Sequence, residues 1–262
     1  MRLINFIIGC IVLTLTILPL NSSLASIGEV TLHEGNAAID RQDGEKGIVV
    51  EKDLDIFSYD TVKTGNGKVG IEFVDDTRVD VTQHSKLLID DFVYDPNTKT
   101  GKLSLKATLG TVRYASGQIA KNSATNVKIT TPTATIGVRG TDFTMTIDEV
   151  GSSTIILLPS CDTNGSCFVG EISVESDAGQ VILNQAFQAT VVDTVATRPL
   201  TPVTLDLDED MINNLLIISK PAEIEQMQNE EGLNEVADAL DIDFLQFDDL
   251  EVDYLEEDES QF

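Results

Sequence analysis

Residues 130–143 constrain the fold more than any other stretch of this 262-residue chain. Threonine, isoleucine and valine dominate the stretch, and these residues favour β-strands. Pro132 cannot donate a hydrogen bond to a sheet ladder, so it belongs at a sheet edge or at the start of a strand. Gly137 and Gly140 indicate closely packed backbones or positive φ angles. The stretch therefore predicts short strands separated by tight turns.

The surrounding sequence extends this pattern. Turn residues recur about every ten positions from residue 27 to residue 192, with no long helical pattern between them. Apolar and polar residues alternate within the intervening segments, as at Val69, Ile71 and Phe73, which is typical of half-buried strands. This spacing predicts an all-β domain of the sandwich, barrel or short solenoid type.

Arg139 lies between the two glycines and close to apolar Ile136, Val138 and Phe143. It could contact an anion or a partner. Alternatively, it could be an internal clasp, buried and paired through its guanidinium with carboxylates or carbonyls. Buried cations are normally paired, and the sequence favours the clasp.

The pattern Thr-Pro-Thr-Ala-x-Ile-Gly-Val-Arg-Gly-Thr-x-Phe resembles the signature of the FecR domain. Its positions here, to which we assign a structural role, are Thr131, Pro132, Ala134, Ile136, Gly137, Val138, Arg139, Gly140, Thr141 and Phe143. The run from Asp60 to Ser85 resembles the start of the same domain, with Asp76 in place of the glycine of the family's Asp-Gly-Thr turn. The resemblance covers about residues 27–192. It implies a twisted, solenoid-like stack of two sheets.

The best-known FecR proteins are transmembrane regulators of iron uptake. They carry a cytoplasmic anti-sigma region before a membrane helix, and they sense an outer-membrane receptor from the periplasm. In this sequence only Met1 and Arg2 precede the hydrophobic segment. The resemblance therefore implies the periplasmic interaction domain alone.

The amino terminus has the organisation of an export signal. Arg2 precedes an apolar stretch over residues 3–18, and Ser23-Leu24-Ala25 has the small-x-small pattern of a cleavage site, which predicts a signal peptide over residues 1–25. Two alternatives remain open. The segment could stay uncleaved as an anchor, although it is barely long enough to span a bilayer. Lipidation at Cys10 would leave an apolar region of only about six residues.

Cleavage would leave Cys161 and Cys167 as an even pair on either side of an Asn-Gly turn. This arrangement predicts a disulfide across a hairpin, as found in oxidising compartments. Alternatively, the two cysteines could supply half of the ligands of a metal site. However, no other cysteine would remain, and His33 and His84 are distant in sequence. We therefore expect no metal and no cofactor.

The charge and the motifs argue against several functions. A net charge of −27, from 44 acidic and 17 basic residues, disfavours nucleic acids and anionic lipids as partners. Neither His33 nor His84 belongs to a recognisable catalytic motif with a Ser or Cys nucleophile. The sequence also contains neither Gly-x-Ser-x-Gly nor a Walker loop. Residues 206–210 mimic the start of a calcium loop but lack its glycine and terminal Glu. We expect a non-enzymatic protein.

Asp75, Asp76 and Asp80 could meet near a turn. Because Asp is usually exposed, we expect them to be solvated loop carboxylates.

The chain becomes acidic after an extended linker at residues 197–202. We assign residues 198–262 to a linker and an acidic tail with one or two short helices. Acidic and apolar residues interleave near its end, a composition that is usually disordered until a partner binds. The tail is a solubiliser or a docking segment. Its aromatic residues favour docking through Phe244, Phe247, Leu250 and Tyr254.

Together these features predict a FecR-like β-domain over residues 26–197, exported to the periplasm or the cell exterior, with no stable membrane insertion once the signal is cleaved. It would act as a non-enzymatic module that binds an envelope protein through the β-domain or the tail. One alternative is a structural or adhesion component of the envelope, with or without calcium. The least favoured is an unrecognised glycan-active enzyme, which would need paired carboxylates in a groove.

Overall fold

The computed structural model describes residues 25–161 and 166–205. The predicted signal peptide, the tail helices and the four candidate docking residues Phe244, Phe247, Leu250 and Tyr254 lie outside the described residues. Numbered in chain order, the strands are β1 (Gly28–Asp40), β2 (Ile48–Val49), β3 (Asp55–Ile56), β4 (Thr61–Phe73), β5 (Arg78–Val81), β6 (Lys86–Asp95), β7 (Thr100–Ala115), β8 (Val127–Thr130), β9 (Thr135–Arg139), β10 (Asp142–Ile147), β11 (Ser153–Leu158), β12 (Ser160–Cys161), β13 (Cys167–Phe168), β14 (Glu171–Ser176), β15 (Gly179–Leu183), β16 (Gln188–Val192) and β17 (Val203–Thr204). One short helix, α1 (Gln118–Asn122), and a 3-10 turn at Ala124–Asn126 connect β7 to β8. The predicted all-β class is confirmed.

Long strands run through two layers of sheet. The first half of β7 pairs with β6 on one side and, in parallel, with β8 on the other. Its second half pairs with β5 and β10, both antiparallel. Strand β4 likewise pairs with β6 near its start and with β5 near its end. The sheet therefore folds over on itself, and the predicted two-sheet arrangement is confirmed.

We define the first layer as β6, the first half of β7, β8, β9, β14 and β15, and the second layer as β5, the second half of β7, β10, β11, β16 and β17. The carboxyl-terminal edges of the two layers are tied together. The Asp177 N–H donates to the Val195 carbonyl at 3.0 Å, and the Ser176 hydroxyl donates to the Thr197 carbonyl at 2.7 Å. These bonds bring the segment after β16 alongside β15.

Gly110 marks the point where β7 passes from one layer to the other. Its φ is +78°, a backbone conformation that residues other than glycine adopt only at a cost in free energy. A Cβ at this position would lie 2.1 Å from Ser85 Oγ, in the loop between β5 and β6. The corner therefore requires glycine for two independent reasons, backbone conformation and space.

One hydrophobic core fills the space between the layers. Alternate residues of β7 are buried in both halves of the strand, among them Leu103, Leu105, Val112 and Tyr114. The rings of Tyr114 and Phe143 pack 5.4 Å apart, and burial raises the pKa of the Tyr114 hydroxyl. Each large side chain buried in this way contributes about 1.5–3 kcal/mol.

Candidate functional site

The first part of the family signature forms a tight turn between β8 and β9. The Thr131 N–H donates to the Ala134 carbonyl at 2.9 Å, and the Ala134 N–H donates to Thr131 Oγ1 at 3.0 Å. The Thr133 hydroxyl donates to Ser153 Oγ, which in turn donates to Thr131 Oγ1, each at 2.8 Å. Since all three hydroxyls are buried, the signature threonines hold this turn against the start of β11.

The second part of the signature joins the two layers. The Thr141 N–H donates to Ser116 Oγ at 2.9 Å, and the Ser116 hydroxyl donates to the Thr141 carbonyl at 2.7 Å. The Thr141 hydroxyl donates to the Leu158 carbonyl and accepts from the Gly170 N–H, both at 3.3 Å. Thr141 is completely buried and satisfied by these contacts, so its role is structural.

Arg139 is exposed, and the prediction that it is a buried clasp is wrong. On β9 the buried residues are Ile136 and Val138, so the alternation of a strand turns Arg139 outward. Glu171 lies opposite it on β14, yet no carboxylate in the described part of the chain forms an ion pair with Arg139. The residue type and the apolar neighbours of Arg139 suggested burial, but the alternation of side chains along β9 determines its orientation.

The internal clasp belongs instead to Arg113 on β7. Its Nη2 lies 3.3 Å from Asp142 Oδ2, with the two side chains only 12% and 15% exposed. Asp142 also accepts a hydrogen bond from the Ser160 hydroxyl at 2.7 Å. Asp142 occupies the variable position before Phe143 in the signature, which is why the family pattern did not reveal it.

Asp75 is completely buried, so the expectation that it is a solvated loop carboxylate is wrong. Its carboxylate accepts hydrogen bonds from the Thr77 N–H at 3.2 Å, the Thr77 hydroxyl at 2.9 Å and the Ile119 N–H at 3.1 Å. Asp76 is exposed as expected and has a φ of +66°, the left-handed conformation that the family's glycine adopts readily. Asp76 thus adopts at this turn a backbone conformation that usually favours glycine.

A second buried carboxylate, Asp60, begins the family-like region. It accepts a hydrogen bond from the Phe57 N–H at 3.0 Å, and its other oxygen lies 3.9 Å from Arg41 Nε. Burial is the main influence on this carboxyl group and raises its pKa. The Arg41 guanidinium lies 4.7 Å above the Phe57 ring, which helps to hold the cation over this site.

Cys161 and Cys167 form a disulfide, with a sulfur–sulfur distance of 2.00 Å. They face each other on the short paired strands β12 and β13. The predicted disulfide is confirmed. In the described ranges, no group of three or more His, Cys, Asp and Glu side chains is arranged to hold a metal ion.

Four basic side chains cross the outer face of the first layer in a diagonal line. Lys128 of β8 lies opposite Ser104 and Gly137, one diagonal step from Lys106 on β7 and from Arg139 on β9. Lys86 on β6 lies one further step beyond Lys106. Diagonal neighbours in a sheet are about 7–8 Å apart. We call Lys86, Lys106, Lys128 and Arg139 the basic diagonal.

The basic diagonal has no acidic partner among the residues that the structure describes. All four side chains are exposed, and none takes part in an ion pair there. The line ends at β14, where Glu171 and Glu175 face outward. In a chain with a net charge of −27, this is an unusual concentration of unneutralised cations. Sequence spacing could not reveal it, because the four residues come from four strands.

No helix in residues 25–161 and 166–205 is both long and apolar enough to cross a membrane.

Comparisons with known proteins identify the domain but no close relative. Residues 60–158 match the family model described as "FecR protein". No curated protein matches the chain. A 2.50 Å crystal structure of a candidate anti-sigma factor from Parabacteroides distasonis ATCC 8503 has a TM-score of 0.44 and 10% identity, over 59% of this chain and 63% of that one. A 1.65 Å structure described in the same words has a TM-score of 0.39 and 10% identity, over 53% and 57%.

This chain spans less than two thirds of either crystallised protein. The family match, by contrast, includes the complete signature and the turn at Asp75 and Asp76. It confirms the resemblance seen in the sequence. Residues 60–158 of this chain therefore match the FecR domain family.

Proposed function

We propose that this protein is an exported, non-enzymatic interaction module of the cell envelope that binds a protein partner through the outer face of its first layer. One observation carries the proposal. The signature residues are buried or form turns, whereas Arg139 projects outward with Lys128 and Lys106 beside it. The other signature residues therefore have structural roles, and this cationic face remains exposed for binding a partner.

The charge of the face indicates the chemistry of the partner. Exposed Lys and Arg side chains that form no ion pair attract carboxylates, and complementary charge raises the rate of association. The strongly negative chain as a whole disfavours nucleic acids and anionic membranes. An acidic segment of another protein is therefore the partner that best fits the basic diagonal.

Site-specific photo-crosslinking tests the surface. A photoreactive amino acid is placed at Thr135, next to the basic diagonal, or as a control at Thr154, on β11 of the second layer. In the bacterial envelope we expect a discrete adduct to another protein from position 135 and none from position 154. The adduct should disappear in a Lys128→Glu/Arg139→Glu variant and persist in a Lys52→Glu/Arg78→Glu variant of equal charge. Equal adducts from both positions, or none, would rule the surface out.

Export is tested separately. The apolar segment followed by Ser23-Leu24-Ala25 supports cleavage after Ala25, and the disulfide suits an oxidising compartment. Mass spectrometry of the mature protein should give an amino terminus at Ser26. A lipidated Cys10 or an intact Met1 would contradict the proposal of a freely exported protein.

A further inference from the structure

We infer that the acidic tail of this same chain, residues 206–262, occupies the basic diagonal and competes there with an acidic partner. The two surfaces are electrically complementary. The tail contains twenty Asp and Glu residues and a single base, Lys220, and so carries −19 of the total net charge of −27. The basic diagonal is the complementary feature of the β-domain, four cations without acidic partners among the described residues.

The tail follows β17, which pairs with β16 at the edge of the second layer. A few residues earlier the chain passes β15, where Arg198 Nη2 donates to the Gln180 carbonyl at 3.4 Å. Strand β15 is the edge of the first layer, and β14, β9 and β8 follow it in order. Since neighbouring strands are about 4.8 Å apart, Lys106 lies about 19 Å and Lys86 about 24 Å from that edge.

Length does not limit this contact. A tail of 57 residues has an extended reach of roughly 190 Å, many times the required distance. A tethered ligand that can reach its site has an effective concentration in the millimolar range. A weak contact would therefore be substantially occupied within one molecule, which a free acidic peptide would achieve only at high concentration.

Three carboxylates at alternate positions occur at residues 206–210, directly after β17, and again at residues 249–253. Asp249, Glu251 and Asp253 alternate with Leu250 and Val252. In an extended chain, alternate side chains lie on one face about 6.8 Å apart. This repeat is close to the 7–8 Å between neighbouring cations of the basic diagonal. We assign residues 249–253 as the segment that lies across Lys106, Lys128 and Arg139.

The consequence is a competitive control of partner binding. An acidic partner would have to displace the tail, so its association should become faster when the tail is neutralised. Both contacts are electrostatic and exposed, so both should weaken as salt rises. The inference concerns the surface of the proposed function but does not need the partner. The tail contact is measurable in the purified chain.

Zero-length carbodiimide crosslinking of the full-length protein provides the test, because it joins carboxylates to lysine amines that are in contact. At low ionic strength we expect links from residues 249–253 to Lys106 and Lys128, and at least fivefold fewer in 0.5 M salt. An equimolar mixture of ¹⁵N-labelled and unlabelled protein distinguishes links within one chain from links between copies. Links between copies only would overturn the intramolecular assignment.

Matched variants separate a specific contact from general attraction. A Lys128→Gln/Arg139→Gln variant should lose the links from residues 249–253 to Lys106 at least fivefold. The control Lys52→Gln/Arg78→Gln, with the same loss of charge, should retain them. Equal losses in the two variants, or links spread evenly over Lys46, Lys52 and Lys63, would overturn the inference. If the tail links are absent while the photo-crosslink from position 135 persists, this inference fails and the proposed function stands.

Discussion

The carboxylate of Asp75, at the tip of the hairpin between β4 and β5, accepts a hydrogen bond from the Ile119 N–H at 3.1 Å, although the two residues are 44 positions apart. This bond supplies α1 with an acceptor that its own N-cap, Gly117, does not provide. This buried side chain therefore helps to hold the hairpin against the connection between β7 and β8.

Asp75→Ala should lower the free energy of unfolding by about 3 kcal/mol, because it leaves the buried Thr77 and Ile119 N–H groups without their acceptor. Asp75→Asn should have a smaller effect, about 1–2 kcal/mol, since one oxygen remains. Asp76→Asn is the matched control on the adjacent exposed residue and should change stability by less than about 0.5 kcal/mol. Urea denaturation measures all three. Equal effects at positions 75 and 76 would show that the carboxylate is not buried in solution.

Gly110→Ala should destabilise the domain by about 3 kcal/mol, from backbone strain at positive φ and from the clash with Ser85. Gly140→Ala is the control. Gly140 also has a positive φ, +56°, but its added Cβ would meet no atom within 4 Å. It should cost about 1 kcal/mol. The difference between the two midpoints of denaturation isolates the packing at the corner of β7. Identical midpoints would mean that the corner can open to admit a methyl group.

Asp60 should make stability depend on pH. Burial raises its pKa in the folded state above the ordinary value of 3.8, so the folded protein retains this proton to higher pH than the unfolded chain. The contribution of Asp60 is therefore favourable below pH 3.8 and is lost as the pH rises through the folded-state pKa.

The comparison with Asp60→Asn isolates this effect. As pH rises through that window, the wild type should lose stability relative to the variant, and the difference should then become constant. Urea midpoints measured from pH 3 to pH 7 give the curve. A relative gain for the wild type would show that attraction to Arg41 outweighs burial.

Arg139→Ala should leave the melting temperature almost unchanged, with a difference in stability below about 0.5 kcal/mol, because the side chain is exposed and unpaired among the described residues. Arg113→Ala is the informative counterpart. It leaves the mostly buried Asp142 without its cation and should cost about 3 kcal/mol. If the two variants exchanged these behaviours, Arg139 would be the clasp after all.

Replacing Cys161 and Cys167 with serine should lower the free energy of unfolding by about 2–3 kcal/mol in the chain-entropy model. Reductant should destabilise the wild type by a similar amount and leave the double variant unaffected. Alkylation of two free thiols in protein purified without reductant would contradict the disulfide.

The sequence was most informative where structure depends on local pattern. Strand alternation placed Val69, Ile71 and Phe73 in the core. The spacing of Cys161 and Cys167 around an Asn-Gly turn was sufficient to predict their bond. Each of these inferences needs only a few consecutive residues.

The errors and omissions involve contacts between distant segments. Asp75 is read as a solvated turn residue because its partner, Ile119, lies in a different part of the sequence. Arg139 has apolar neighbours in the chain, but its outward orientation follows from the pairing of β9 with β8 and β14. The basic diagonal depends in the same way on the register of β6, β7, β8 and β9, which no single segment encodes.

The order in which strands enter the two layers has a consequence for folding as the chain is synthesised. After β7, the chain supplies β8 and β9 to the first layer, β10 and β11 to the second, then β14 and β15 to the first, and finally β16 and β17 to the second. The first layer is incomplete until residues 179–183 have emerged, and the second until residues 188–192 and 203–204 have emerged. Until then the nascent chain presents unpaired strand edges to its surroundings, where a holding chaperone would have to protect them from aggregation.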